Sequence, residues 1–189
     1  MTGMIDLLRE EHGDIEKLLG VLEVELSVFD HQERPDYEVI QAIIGYFQDY
    51  PDCCHHPKED MIFEKLTARD PAVAKGMGNL EAEHRNERKC LQRVAEIVRY
   101  VLLDRDILRQ TFDDVMRNFI DQQRAHMAME ERFLFPAAVT TLRPEDWQEI
   151  ESRWSENKDS LFNVGMEEKC NSLRDRVLQW ARENKENRI

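Results

Sequence analysis

The sequence predicts an all-α fold, an antiparallel up-down four-helix bundle followed by a C-terminal helical tail. Apolar residues recur at steps of three and four along most of the chain, the spacing that gathers them on one face of a helix. Seven glycines and six prolines among 189 residues leave few positions for the tight turns that strands need. The long periodic segments are joined by short polar connections, as in bundles whose helices pack beside their sequence neighbours.

The first helix is expected from about Ile5 to Val28, with Ile5, Leu8, His12, Ile15, Leu19, Leu22 and Leu26 on one face. The polar run Asp30-His31-Gln32-Glu33-Arg34-Pro35 ends it, and His31 there is read as solvated. Asp36 suits an N-cap for a second helix through Val39, Ile43, Ile44 and Phe47. Pro51 and Pro57 lack the N–H of an interior helical position and should break or kink it before it resumes through Met61, Ile62, Phe63 and Leu66. Asp70-Pro71, with Pro at the first helical position, opens a third helix through Leu80, His84, Leu91, Val94 and Val98 to about Leu103. A fourth runs from Asp106 through Phe112, Val115, Phe119, His126 and Phe133 to about Thr141. Residues 1–142 are therefore expected to form the bundle and 143–189 an extension packed on it. In that extension Trp147, Ile150 and Trp154 share one face, and Leu173, Val177 and Trp180 mark a last helix. The Trp147/Trp154/Trp180 stripe should seat the tail on the bundle, with a homodimer or partner surface as the alternative.

Charge narrows the function classes. With 26 Lys+Arg against 39 Asp+Glu the net charge is −13, and no basic tract is present to neutralise phosphates, so nucleic acid is not an expected partner. No stretch approaches the roughly 18 apolar residues of a membrane span. Met1 to Asp14 has neither a basic n-region nor an apolar h-region, which predicts a cytoplasmic protein. Cys53, Cys54, Cys90 and Cys170 are then expected as reduced thiols.

The chain contains an internal repeat. Glu11-His12 in the first helix matches Glu83-His84 in the third, 72 residues on, while His55 and Glu59 match His126 and Glu130 at 71. Two helix pairs related by pseudo-symmetry follow, with any shared centre near the axis. Residues i and i+4 of a helix lie one turn apart on one face, so His55/Glu59 and His126/Glu130 can each aim an imidazole and a carboxylate at one point. His12 and His84 add an imidazole each. Four His and two Glu favour a borderline or hard metal, and two carboxylates able to bridge suit a pair of ions. Iron is the choice, with zinc or manganese as alternatives. His56/Asp60 is also an i, i+4 pair, but counting apolar positions from Glu59 matches the pattern after Glu130 better. That favours His55 as the ligand and leaves His56 behind the ligands or exposed. Glu81 and His84 form one Glu-x-x-His of the ferritin-like type, but Gln123 stands where the second would need Glu. Cys53 and Cys54 are read as small buried residues or an exposed thiol pair, and Tyr46 and Tyr50 as core residues.

At these residues the sequence resembles the hemerythrin-like family, also called the HHE cation-binding domain. The carriers are Leu8-x-x-Glu11-His12, His55-His56-Pro57-Lys58-Glu59-Asp60, Glu83-His84, and His126-x-x-x-Glu130-Glu131-x-x-Leu134-Phe135-Pro136, over about residues 4 to 140. The resemblance implies a four-helix bundle around a non-haem di-iron centre. Its two iron ions would be bridged by an oxo or hydroxo group and two carboxylates, and liganded by His12, His55, Glu59, His84, His126 and Glu130. Oxygen-carrying members have a further His in a His-x-x-x-His pair, whereas Leu80 and Arg88 stand four residues from His84. They also use His-x-x-x-x-Asp on the last helix, where this chain has His-x-x-x-Glu. A four-His, two-Glu set is similar to bacterial di-iron proteins of iron–sulfur repair and to hemerythrin-like iron or oxygen sensors. Expected from this is a metal-binding protein, rather than a dedicated enzyme, that takes O2 or NO at an open iron position. The alternative is a stress protein acting in iron–sulfur cluster repair or as an NO or peroxide reductase.

Overall fold

The computed structural model describes residues 3–31, 33–103, 105, 107–158 and 161–187, with side chains described except at 157–158, 161–164 and 184–187. Among these residues every regular element is helical. Helix α1 (Gly3–Asp30) buries Ile5, Leu8, Ile15, Leu19, Leu22 and Leu26, as the periodicity requires. Glu25 near its end accepts a hydrogen bond from the Asp36 amide and fixes the return of the chain. Helix α2 (Tyr37–Tyr50) starts at Asp36, whose carboxylate accepts from the amides of Glu38 and Val39 at 3.0 and 3.1 Å and so satisfies two donors the helix cannot.

The interruption expected at Pro51 takes the form of a π-helical turn (Pro51–His55) leading straight into α3 (His56–Arg69). The expected third helix is divided. Asp70 caps a short α4 (Pro71–Gly76), and Asn79 caps α5 (Leu80–Leu102) by accepting from the Ala82 amide. Between them Gly78 has φ +87°, a left-handed conformation in which a Cβ is disfavoured, so one helix cannot pass through. Helix α6 covers Arg109–Met129, and Asp106, where its start was expected, lies outside the described residues. A second π turn (Glu130–Leu134) leads into α7 (Phe135–Thr141). It adds a residue to the helical repeat, so Leu134 and Phe135 are buried while Phe133, expected on the inner face, is half exposed. Helices α8 (Pro144–Lys158) and α9 (Leu161–Asn187) follow.

Two apolar clusters fill the interior. The larger joins α1, α2, α5, α6 and α9 through residues such as Leu19, Ile43, Val94, Phe119, Cys170 and Val177. The smaller joins Ile5 and Leu8 to Ile62, Leu66, Leu80, Leu134 and Phe135, and includes Trp147 and Ile150 of α8. Trp154 packs against the smaller cluster and Trp180 against the larger. Each fully buried side chain of Ile size contributes roughly 1.5–3 kcal/mol, so Ile150 and its neighbours on α8 add to the smaller cluster and Cys170 and Val177 of α9 to the larger. Between the clusters, on α1 from Glu11 to His12, on α3 from His55 to Glu59, and at His84, His126 and Glu130, lies a layer of buried polar side chains. No helix among the described residues is long and apolar enough to cross a membrane.

Candidate metal centre

The six residues expected as ligands come together in this layer, and His56 joins them. Their donor atoms form two groups, His12, His55, Glu59 and Glu130 in one, and His56, Glu59, His84 and His126 in the other. All are buried.

Glu59 lies between the groups and divides its oxygens. Oε1 is 2.9 Å from His55 Nε2 and 3.7 Å from His12 Nε2, while Oε2 is 3.5 Å from His84 Nε2. Glu130 does the same, with Oε2 3.3 Å from His12 Nε2 and Oε1 3.1 Å from His126 Nε2. Both oxygens of both carboxylates, and Nε2 of His12, His84 and His126, are buried without a hydrogen-bond partner. Leaving so many polar atoms unsatisfied is costly, and two cations would satisfy them together. The donor set of nitrogens and carboxylate oxygens fits iron and its neighbours in the first transition row.

The far nitrogen of every imidazole meets a carboxylate. His12 Nδ1 donates to Glu131 at 3.1 Å, His55 Nδ1 to Glu11 at 2.7 Å, His56 Nδ1 to Asp52 at 3.2 Å and His126 Nδ1 to Glu83 at 3.3 Å, and His84 Nδ1 is 3.4 Å from Asp60. Such contacts fix the tautomer so that Nε2 faces the centre. The repeat is visible here too. Glu11–His55 corresponds to Glu83–His126, and the His12–Glu131 contact mirrors His84–Asp60.

His56 has no counterpart, since Met127 occupies the matching position in the second half. Sequence counting placed His56 behind the ligands or exposed, because the apolar pattern after Glu59 matched that after Glu130 and favoured His55, and adjacent residues of an α-helix point about 100° apart. The π turn ending at His55 changes that angle, and both rings face inward. Glu87 was also missed as a site residue. One turn beyond His84, its Oε2 is 3.3 Å from His56 Nε2, and its Oε1 accepts from Gln123 at 3.0 Å. His56, Glu87 and Gln123, with Arg88 and Phe119, line a cavity of about 20 Å³, room for one water-sized molecule.

Without metal the imidazoles hold protons strongly. Burial pulls His12 down, but contacts with Glu130 and Glu59 outweigh it and raise the group to about 9. His55 rises to about 10 against its own burial through Glu59 and Glu11, His84 to about 9 through Asp60 and Glu59, and His126 to about 11 through Glu130 and Glu83. Burial pushes the Glu59 carboxyl up, yet His55, His12 and His84 together hold it well below the usual range.

Cys53 and Cys54, adjacent residues of the first π turn, have their sulfur atoms side by side, and Cys53 Sγ faces the Tyr50 carbonyl at 3.6 Å. Cys90 and Cys170 are free. Tyr46 and Tyr50 stack at 4.9 Å in the core. His31 is exposed and bonds the Ser27 carbonyl, away from the centre.

The family model of the hemerythrin HHE cation-binding domain matches residues 3–138. No curated protein and no solved structure matches the chain.

Proposed function

The chain belongs to the hemerythrin HHE cation-binding family, and on that premise we propose that it is a non-haem di-iron protein that binds or senses O2 or NO at an open iron position. The observation that carries this reading is the division of Glu59 and Glu130, one oxygen toward each histidine group, with all four oxygens buried and lacking a hydrogen-bond partner. In this reading His12, His55, His56, His84, His126, Glu59 and Glu130 hold two iron ions, which supply the electrons that a diatomic ligand takes up on binding. Residues 1–142 are the metal-binding unit, an antiparallel up-down four-helix bundle, and 143–189 its extension. The protein works in the cytoplasm.

The chain's residues bias the outcome. Three histidines serve one group and two the other, which supports an open position on the side of His12 and His55. The apolar clusters on either side exclude bulk water, and the outer carboxylates hold each imidazole in place. Elemental analysis should find two iron atoms per chain. Stopped-flow spectroscopy of the reduced protein should then show a band with O2 or NO that bleaches reversibly under argon. Immediate irreversible oxidation would sink the binding reading.

One observation favours a second reading, an NO or peroxide reductase or a stress protein of iron–sulfur repair. The buried Glu87 carboxylate faces the cavity beside His56 and could take up a proton from solvent and pass it to a reduced ligand. Turnover of NO or peroxide that falls in Glu87→Gln while iron content stays at two would establish it.

A further inference from the structure

We propose that Lys58 and Trp154 act as a clamp that holds the Glu11 carboxylate against His55, making helix α8 a working part of the metal centre. The proposal rests on reading His55 as a ligand. Of the five carboxylates that back the imidazoles, four are open to solvent, with side chains 37% (Glu131), 45% (Asp52), 52% (Asp60) and 41% (Glu83) exposed. Glu11 is 9% exposed. Under the pseudo-symmetry its equivalent is the exposed Glu83, so burial at Glu11 is a feature of one half alone.

A buried carboxylate requires a counter-charge, and the Lys58 ammonium, itself buried, bonds Glu11 directly. Met129 occupies the matching position in the second half, which has no such cation. The other face of the ammonium lies 4.9 Å from the centroid of the Trp154 ring, a cation–π contact that replaces part of the lost hydration. Trp154 belongs to α8, which is fastened to α3 by the two-bond Arg69–Asp146 pair, by Lys65–Glu149 at 2.6 Å and by Glu64–Arg153 at 3.0 Å. The order of contact is thus Trp154, Lys58, Glu11, His55. Lys58 and Trp154 touch no reacting atom and are positioning residues, acting through the orientation and basicity of the His55 ring.

The test uses the full chain and the variants Lys58→Met, Lys58→Arg and Trp154→Leu, the last keeping apolar bulk while removing the aromatic face. In the metal-free protein, proton exchange at His55 Nδ1, followed by nitrogen-15 NMR, should speed up in Lys58→Met and Trp154→Leu and return toward the parent rate in Lys58→Arg. In protein loaded with ferrous iron, one of the two ions should pass to a chelator about 10- to 100-fold faster in Lys58→Met, the usual scale for losing a partner behind a ligand, while the other keeps the parent rate. Unchanged His55 exchange, or equal acceleration for both ions, overturns the clamp. If Lys58→Met does not fold, Trp154→Leu decides by the same two readings, since Trp154 is only half buried. A parent chain that takes up no iron defeats the proposed function, and the metal-free exchange rates then decide the clamp alone.

Discussion

His56 and Lys58 show what single residues contribute beyond their spacing. The i, i+4 pairs His55/Glu59 and His126/Glu130 were legible because helical geometry fixes where such residues point. His56 was not, because its inward direction depends on the π turn before it, and that turn has no simple signature in residue type. Lys58 in a sequence reads as a surface charge, and only its contacts with Glu11 and Trp154 reveal otherwise. Replacing His55 or His56 by Ala should each reduce bound iron below two per chain by elemental analysis, whereas His31→Ala should leave it unchanged. Full iron content in His56→Ala would remove that residue from the ligand set.

Protonation at these residues gives a pH dependence with a definite sign. His12, His55, His84 and His126 have folded values of about 9 to 11 against an ordinary 6.5, so the stability they lend the metal-free chain is full below about pH 6.5 and is lost as pH rises through 9 to 11. Glu59 is lowered, so its contribution is present above about pH 4.5 and disappears on acidification. The metal-free melting temperature should therefore be highest between these limits and decline through pH 9. Metal binding displaces the same protons, so the loaded protein should lose much of that decline. A metal-free melting temperature that climbs from pH 6.5 to 9 would contradict the assignment.

At the scale of elements, helix existence was readable from periodicity and caps, while the junctions were not. The two π turns leave the apolar count almost intact, which is why the pairs at 71 residues were visible although the turns themselves were not. The break at Gly78 was hidden because apolar spacing continues on both sides of it. Gly78→Ala tests the reading. An added Cβ would meet only Glu83 Oε1, at an ordinary 3.9 Å, so the cost is backbone strain alone. A loss of about 1–2 kcal/mol in urea denaturation is expected, with iron content unchanged. Asp36→Ala should cost about 0.5–2 kcal/mol by the same measurement, through the two amides it leaves without a partner.

For the molecule as a whole, the apolar clusters stand on either side of a layer that carries unsatisfied carboxylates and imidazoles. In the metal-free fold these atoms have only the ion-pair contacts between imidazole and carboxylate, and ions bound only by the folded state offset the cost that remains. At a free metal concentration about a thousand times the dissociation constant, the gain is roughly 4 kcal/mol. Stripping with a chelator should lower the melting temperature by several degrees and restoring ferrous iron should recover it. Equal melting temperatures would mean that the layer is satisfied in some other way. The role of α8 and α9 was the least legible part, because tryptophans on one face announce burial without saying what they cover.

The pairing of His56 with Met127 has a further consequence. A centre built from two matching halves would offer two equal seats, and metal added in deficit would distribute over both. On the proposed assignment one group offers three imidazoles and the other two, so the first ion to arrive would have a preferred place. A calorimetric titration would then resolve two events instead of one, and a chain supplied with two kinds of metal would sort them.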